Sequence, residues 1–257
     1  MLQCAAMAPN SEQPSPSGTE VALRLSIIIP VLNEEKAIRA TLENVAGCVP
    51  DAEVIIVDGG STDMTREIVA GFLAQRHTAP GLWRLLQTER GRGRQMNLGA
   101  AESTGDILLF LHADTLLPPE TTSLLQKALT DPRVLGGNFR IRFVPPSPVA
   151  DLYTIIYNAR SRFRIFYGDS AIWMRRPVFE ALGGYPLERL MEDFALVLRL
   201  RKAGKIVCLP AAVESSARRF QGARRNTRAL LQWGWLHLLL LFGAGDEMLE
   251  RFYPPIR

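Results

Sequence analysis

Between residues 25 and 129 a short apolar run gives way four times to a polar loop and then to an amphipathic segment. The run at 25–31 reads Leu-Ser-Ile-Ile-Ile-Pro-Val, and those at 53–57 and 106–111 are also rich in Ile, Val and Leu. Such runs lack polar alternation, the pattern of strands covered on both faces. The run at 83–88 is more polar. The segments between them have helical spacing. In 34–46, Ala37, Ile38, Leu42 and Val45 share one face, acids fill the first turn, and Gly47 stands past the end. Further helices are expected over 64–75, from Gly91 to about 103, and from Pro118 or Pro119 to Leu129. Parallel strands need crossover connections, and helices of this length supply them. The expected fold class is therefore α/β: a Rossmann-like, mainly parallel sheet with helices on both faces.

After Val134 the alternation loosens. A strand is expected over 136–143, a helix over 151–162, a turn at Gly168-Asp169, a strand over 171–174, and helices over 176–182 and 192–203. The chain divides by composition into a Ser- and Pro-rich leader over 1–23, read as disordered, a single domain over 24–212, and a basic, apolar helical segment over 213–257. Within it, residues 215–257 hold arginines 218, 219, 224, 225, 228, 251 and 257 against acids 246, 247 and 250, the whole net charge of +4. Local basicity of this kind suits phosphates or an anionic membrane surface. The apolar run 229–243 is interrupted by Gln232, Gly234 and His237. At ~1.5 Å per residue it is too short for a ~30 Å hydrocarbon core. It reads either as a peripheral membrane foot, with Trp233 and Trp235 at the interface, or as a helix packed on the domain or on a second subunit. Cys4, Cys48 and Cys208 are odd in number and far apart, which favours a reducing compartment and no zinc site. The expected location is cytoplasmic or peripheral on the inner face of the cell membrane, with no nucleic-acid partner.

In a sheet of this type ligands bind beyond the carboxyl ends of the strands, where loops converge and helix N-termini present free N–H groups. Those ends carry Asn33 and Glu34, then Asp58, then Arg92 and Arg94, then His112 and Asp114. Asn33 and Asp63 also read as helix caps. Asp58 ends an apolar strand ahead of two glycines and reads as a ligand contact. Asp114 either holds Mg²⁺ or Mn²⁺ or caps the next helix, and His112 is either a ligand or a hydrogen-bond partner of Asp114. Glu192 and Asp193 by themselves read as first-turn acids of the helix that ends at Ala203. Asp169 reads as part of its turn or as a ligand contact. Gly91-Arg-Gly-Arg-Gln-Met lacks the third glycine of a dinucleotide fingerprint, and no Walker A loop or Gly-x-Ser-x-Gly elbow is present.

Taken in order, these motifs resemble those of glycosyltransferase family 2, whose GT-A fold serves inverting nucleotide-sugar transferases. Ser26-Ile-Ile-Ile-Pro-Val-Leu-Asn-Glu-Glu resembles the family's opening strand, Val57-Asp-Gly-Gly-Ser-Thr-Asp its Val-Asp-Asp-Gly-Ser-Thr-Asp motif, and the stretch 91–100 its nucleotide-closing helix start. His112-Ala-Asp114 stands where the family has its Asp-x-Asp motif and Met191-Glu-Asp193 where it has its Glu-Asp motif. Leu111-His-Ala-Asp-Thr and Tyr167-Gly-Asp-Ser-Ala-Ile are similar to the small radical-SAM/selenodomain-associated subfamily. The resemblance implies a nucleotide-sugar donor, UDP- or GDP-linked, held by Pro30, Asn33, Glu34, Asp58, Gly60, Ser61, Gly91, Arg92, Arg94, Asn97, Ala113, Arg218 and Arg219. It implies Mg²⁺ or Mn²⁺ on Asp114 and His112, and Asp193 as catalytic base with Glu192 beside it. Gly137, Asn138, Gly168 and Asp169 are placed on the side of a hydroxyl acceptor, lipid-linked if the membrane foot is real. Gly59 and His112 depart from the pattern by replacing aspartates. A nucleotidyltransferase on a related fold, or a nucleotide-sugar-binding adaptor without turnover, are the rival readings.

Overall fold

The computed structural model describes residues 24–76, 81–187 and 192–220. The expected leader and the apolar helix beyond residue 220 lie outside the described residues. Within them the order is β1 (Leu25–Val31), α1 (Ile38–Cys48), β2 (Glu53–Asp58), α2 (Thr65–Ala74), β3 (Trp83–Gln87), α3 (Arg92–Glu102), β4 (Ile107–Phe110), β5 (Thr115–Leu116), α4 (Thr121–Leu129), β6 (Val134–Val144), α5 (Pro148–Ser161), β7 (Ile172–Arg175), α6 (Arg176–Ala181), α7 (Glu192–Ala203) and β8 (Lys205–Ser216). One eight-stranded sheet runs β3-β2-β1-β4-β7-β6-β8-β5. β1 to β4 are mutually parallel, as expected. β7 opposes both β4 and β6, while β8 returns parallel to β6 and pairs β5 at the edge.

Every residue of β1 and β2 is buried. Alternation along β1 serves two cores: Ile27, Ile29 and Val31 pack with Ile38, Leu42 and Val45 of α1, and Ile28 packs on the opposite face with Met96 and Ala100 of α3. Removing that surface from water is the main stabilising term for this layer, at about 1.5–3 kcal/mol per buried aliphatic side chain. Gly99 lets α3 lie close to the sheet, since a Cβ there would meet Ile28 Cγ2 at 2.5 Å. Among the described residues no helix is long and apolar enough to cross a membrane.

Three expectations are corrected. α1 begins at Ile38 rather than 34, and Gly47 lies inside it. Asn33 has φ 56° and is not its cap; its Oδ1 accepts from Thr62 N at 2.8 Å and so ties the loop after β1 to the loop after β2. β5 and β8 were not anticipated. β8 hides in the sequence because its pairing with β6 jumps from Leu209 to Ala212, so Pro210 sits in a bulge where its missing N–H costs no ladder bond. The strand runs on to Ser216, past residue 212 where composition divides the chain.

Candidate active site

The loops after β1 and β2 are fastened to each other by side chains that cap backbone donors. Ser61 Oγ accepts from Asn33 N at 3.0 Å, Thr65 Oγ1 from Glu34 N at 2.7 Å, and Asp63 Oδ2 from Glu35 N at 3.1 Å. Asp63 also accepts from Thr65 N at the start of α2, although Met64 and not Asp63 stands at the cap position. Asp58, 1% exposed, accepts from Gly60 N and Ser61 N, so its carboxylate braces its own turn. Gly60 has φ 92°, a conformation that suits glycine. Pro30 is buried within β1, paired with Val57.

The loop after β4 meets this edge through Arg218. The guanidinium lies 2.5 and 2.6 Å from the two Glu34 oxygens and 3.2 Å from Asp114 Oδ2. β8 delivers it there: Ser215 pairs with Thr115, and Ser216 N donates to the Asp114 carbonyl at 3.1 Å. Ala113 is buried, with its carbonyl accepting from Thr41 Oγ1 at 2.7 Å. Glu34 follows β1 and Asp114 follows β4, the two strands between which the order of the sheet reverses. That is where open α/β sheets form their ligand crevice.

His112 turns the other way. Its Nδ1 lies 3.0 Å from Asp169 Oδ1, and both side chains are buried. Its buried Nε2 has no hydrogen-bond partner among the described residues. A Cβ on Gly168 would stand 2.5 Å from that nitrogen and 3.0 Å from Asp193 Oδ2, so the imidazole and the Asp193 carboxylate meet over a glycine. Asp193, 8% exposed, accepts from Gly168 N at 2.6 Å on Oδ2 and from Phe194 N at 2.7 Å on Oδ1. Burial and then the neighbouring Asp193 raise the pKa of Glu192 above the usual carboxylate range, partly opposed by Arg92, whose Nε is 3.8 Å away. Burial, helped by Asp193 and Glu192, likewise drives the Tyr185 phenol well above its ordinary value, and its hydroxyl has no hydrogen-bond partner.

The expected residues thus form a run of contacts along one rim, from the Asp58 turn through Asn33, Glu34, Arg218 and Asp114, then by chain connection to His112, Asp169, Gly168, Asp193, Glu192 and Arg92. The two residues expected to share a metal are divided by their contacts, Asp114 toward Glu34 and Arg218, His112 toward Asp169 and Asp193. Several expected residues serve the frame. Asn97 is occupied by the backbone of Tyr185, bonding its N–H and its carbonyl. Arg94 pairs with Glu89 at 2.7 Å. Gly91, φ 149°, opens α3. Gly137 is needed where β6 meets the Val207 backbone. Asn138, fully buried, donates to Phe139 O, Ser161 Oγ and Ser170 Oγ and so holds β6 to the turn that carries Asp169. The Arg219 side chain lies outside the described set. Sequence reasoning missed Tyr185 and Gln95; Gln95 is a polar residue beside Met96 on the helix face that packs against the sheet.

The comparisons with known proteins now bear on this rim. The family model for glycosyl transferase family 2 matches residues 26–183. The chain belongs to that family. Among curated relatives, an uncharacterized glycosyltransferase of Nostoc sp. is 28% identical over 205 residues, 73% of this chain and 62% of its own length. A probable glycosyltransferase of Bacillus subtilis is 27% identical over 74% of this chain and 50% of its own length. The chain therefore spans between half and two thirds of these relatives. Among solved structures, a mannosyltransferase from Pyrobaculum calidifontis in complex with GDP-Man and Mn²⁺ is 25% identical, with TM-score 0.66, covering 90% of this chain and 66% of the other. TarS of S. aureus, in complex with UDP-GlcNAc, shares the fold at TM-score 0.63 and 19% identity, covering 80% of this chain and 61% of that one.

Proposed function

We propose that this family 2 chain is an inverting glycosyltransferase that moves a sugar from a UDP- or GDP-linked donor to a hydroxyl acceptor. The observation that carries the reading is the buried Asp193 carboxylate, held by two backbone N–H groups on the rim to which the loops of β1, β2 and β4 also lead. Each Asp193 oxygen accepts one N–H and keeps lone-pair capacity for a substrate proton. An acceptor hydroxyl placed against it loses its proton as it attacks the anomeric carbon from the face opposite the leaving diphosphate, and a single displacement of this kind inverts configuration. Burial and the adjacent Asp193 raise the pKa of Glu192, so a second negative charge beside the base is disfavoured. Among the described residues Arg218 pairs with both Glu34 and Asp114, which places a planar guanidinium fork where it can turn to the diphosphate.

Asp114 and Glu34 offer hard oxygen donors of the type that Mg²⁺ and Mn²⁺ take alongside substrate phosphates, so the residues fit such an ion. Bound there, it would neutralise charge growing on the leaving group. The imidazole of His112, committed to Asp169, is a positioning group for the Asp193 loop in this reading. The neighbour bound to GDP-Man and Mn²⁺ supports both donor class and metal. The test is release of nucleoside diphosphate from a panel of UDP- and GDP-sugars with Mn²⁺ present. Turnover of at least one donor, abolished by Asp193→Asn with nucleotide binding kept, is expected. Full activity in Asp193→Asn removes the mechanism.

A further inference from the structure

A second buried polar group on the same rim has an acceptor with no partner. Gln95, in the first turn of α3 and 3% exposed, donates from Nε2 to the Val31 carbonyl at 2.8 Å and to the Val57 carbonyl at 2.7 Å. Two carbonyl acceptors fix which end of the amide is nitrogen. Oε1 is therefore turned away from the strand ends, and among the described residues no donor is recorded for it. A Cβ on Gly59 would stand 3.0 Å from both Cδ and Oε1 of Gln95. The amide fills the space that a side chain at position 59 would enter, next to the Asp58 turn. Asp58 itself accepts from Gly60 N and Ser61 N, whereas among the described residues Gln95 Oε1 accepts from no N–H.

We propose that Gln95 is the specificity-determining residue of the nucleotide subsite, with Oε1 accepting a hydrogen bond from the ring N–H of a uracil or guanine base. The inference rests on the donor reading above. Uracil N3 and guanine N1 carry a hydrogen at neutral pH. The matching ring nitrogens of cytosine and adenine carry a lone pair, which would face the amide oxygen acceptor to acceptor. A site that presents an unpaired acceptor on a largely buried side chain rejects a partner that cannot donate more strongly than it rejects a mere change of size. Gly59 belongs to the same device, because a side chain there and Gln95 in its present rotamer compete for one space.

The experiment is calorimetric titration of the full chain, with Mn²⁺ present, using UDP, GDP, CDP and ADP. Wild type is expected to bind UDP or GDP about tenfold or more tightly than CDP and ADP, the value of one well-placed hydrogen bond. Gln95→Met, of similar volume, should erase that ratio by weakening the favoured nucleotide alone, and Gly59→Asp combined with Gln95→Ala should restore it through a carboxylate acceptor. N-methylation of the ring nitrogen, as N3-methyl-UDP or N1-methyl-GDP, asks the same of the unmodified protein and should cost wild type about tenfold. Equal affinity for all four nucleotides, an undiminished preference in Gln95→Met, or indifference to the methyl group overturns the assignment while leaving the donor reading in place. Failure of wild type to bind any nucleoside diphosphate overturns both.

Discussion

The two halves of the sheet are built on different principles. In the β1–β4 half, apolar strands are buried on both faces, and the loops at their carboxyl ends are fastened to one another: Asn33 to Ser61 and Thr62, Glu34 to Thr65, Glu35 to Asp63. In the β5–β8 half, strands run in mixed directions, with β8 parallel to β6 and β7 opposed to it, and polar groups are buried at its centre. His112, Asp169 and Asp193 converge over Gly168, and among the described residues His112 Nε2 and Tyr185 Oη beside them have no hydrogen-bond partner; the unpartnered atoms of the first half, Arg76 Nε, Trp83 Nε1 and Arg84 Nε, lie at its β3 edge. Buried polar atoms without partners cost free energy, and a fold keeps them where a ligand or a reaction answers them. Under the proposed function, the contrast makes the first half a prepared cradle and the second the place of the reacting groups.

If that division is right, the largest effects lie in the second half and leave the first intact. Asp193→Asn should lower transfer by ~10³-fold, the scale of a lost general base, with nucleotide affinity and circular dichroism unchanged. A loss of nucleotide binding by a similar factor would show that the two halves are not separable. Gly168→Ala comes next. The added Cβ would lie 2.5 Å from His112 Nε2 and 3.0 Å from Asp193 Oδ2. The loop must move, and since it also donates to Asp193, the base moves with it. A fall of about 10²-fold in kcat is expected, the cost of a displacement near 1 Å, with about 1–3 kcal/mol of stability lost to overpacking. Chemical denaturation beside single-turnover rates separates the two effects, and a variant that is less stable yet fully active would contradict the placement of Asp193.

The same contrast governs what the sequence discloses. β1, β2 and β4 are legible because continuous Ile, Val and Leu runs have few other uses, and the rim follows because ligand loops sit at the carboxyl ends of such strands. Asp58, Asp114 and Asp193 could be named from motif order, but their partners could not. That Asn33 ties two loops instead of capping a helix depends on a positive φ that its local sequence does not require. β8 was missed because one of its faces is partly exposed and a proline sits in its bulge, so its pattern lacks both alternation and an apolar run. Arg218 stands beside Asp114 only because β8 ends there, so the Glu34–Arg218–Asp114 bridge was out of reach without that strand. Gln95 was hidden by a burial that only the packing of α3 on β1 and β2 reveals.

Arg218→Ala sharpens the comparison from the cradle side. It should weaken nucleoside diphosphate binding by about tenfold at low salt, a modest effect because the guanidinium is half exposed and screened. The catalytic step at saturating donor should fall less than in Gly168→Ala. A binding titration repeated at rising ionic strength checks the assignment, since the gap between variant and wild type should narrow if Arg218 acts through charge.

The smallest effect expected is on Glu192. Burial and the adjacent Asp193 raise its pKa in the folded chain. A carboxyl group raised in this way favours the folded state while protonated, and that contribution is lost as pH climbs through the raised value. At neutral pH the ionised side chain therefore works against the fold, and Glu192→Gln should raise the melting temperature by roughly 2–4 °C, about 1 kcal/mol for a chain of this size. Below the ordinary carboxylate range both forms are neutral, and the gain should vanish. A melting series from acid to neutral pH tests this directly. A gain that is constant across pH would mean that the amide is better packed, and one that grows on acidification would mean that Arg92 outweighs burial and Asp193. In that case the buried acids of the second half are held as an ordinary ion pair, and the view of that half as a store of costly groups loses its clearest example.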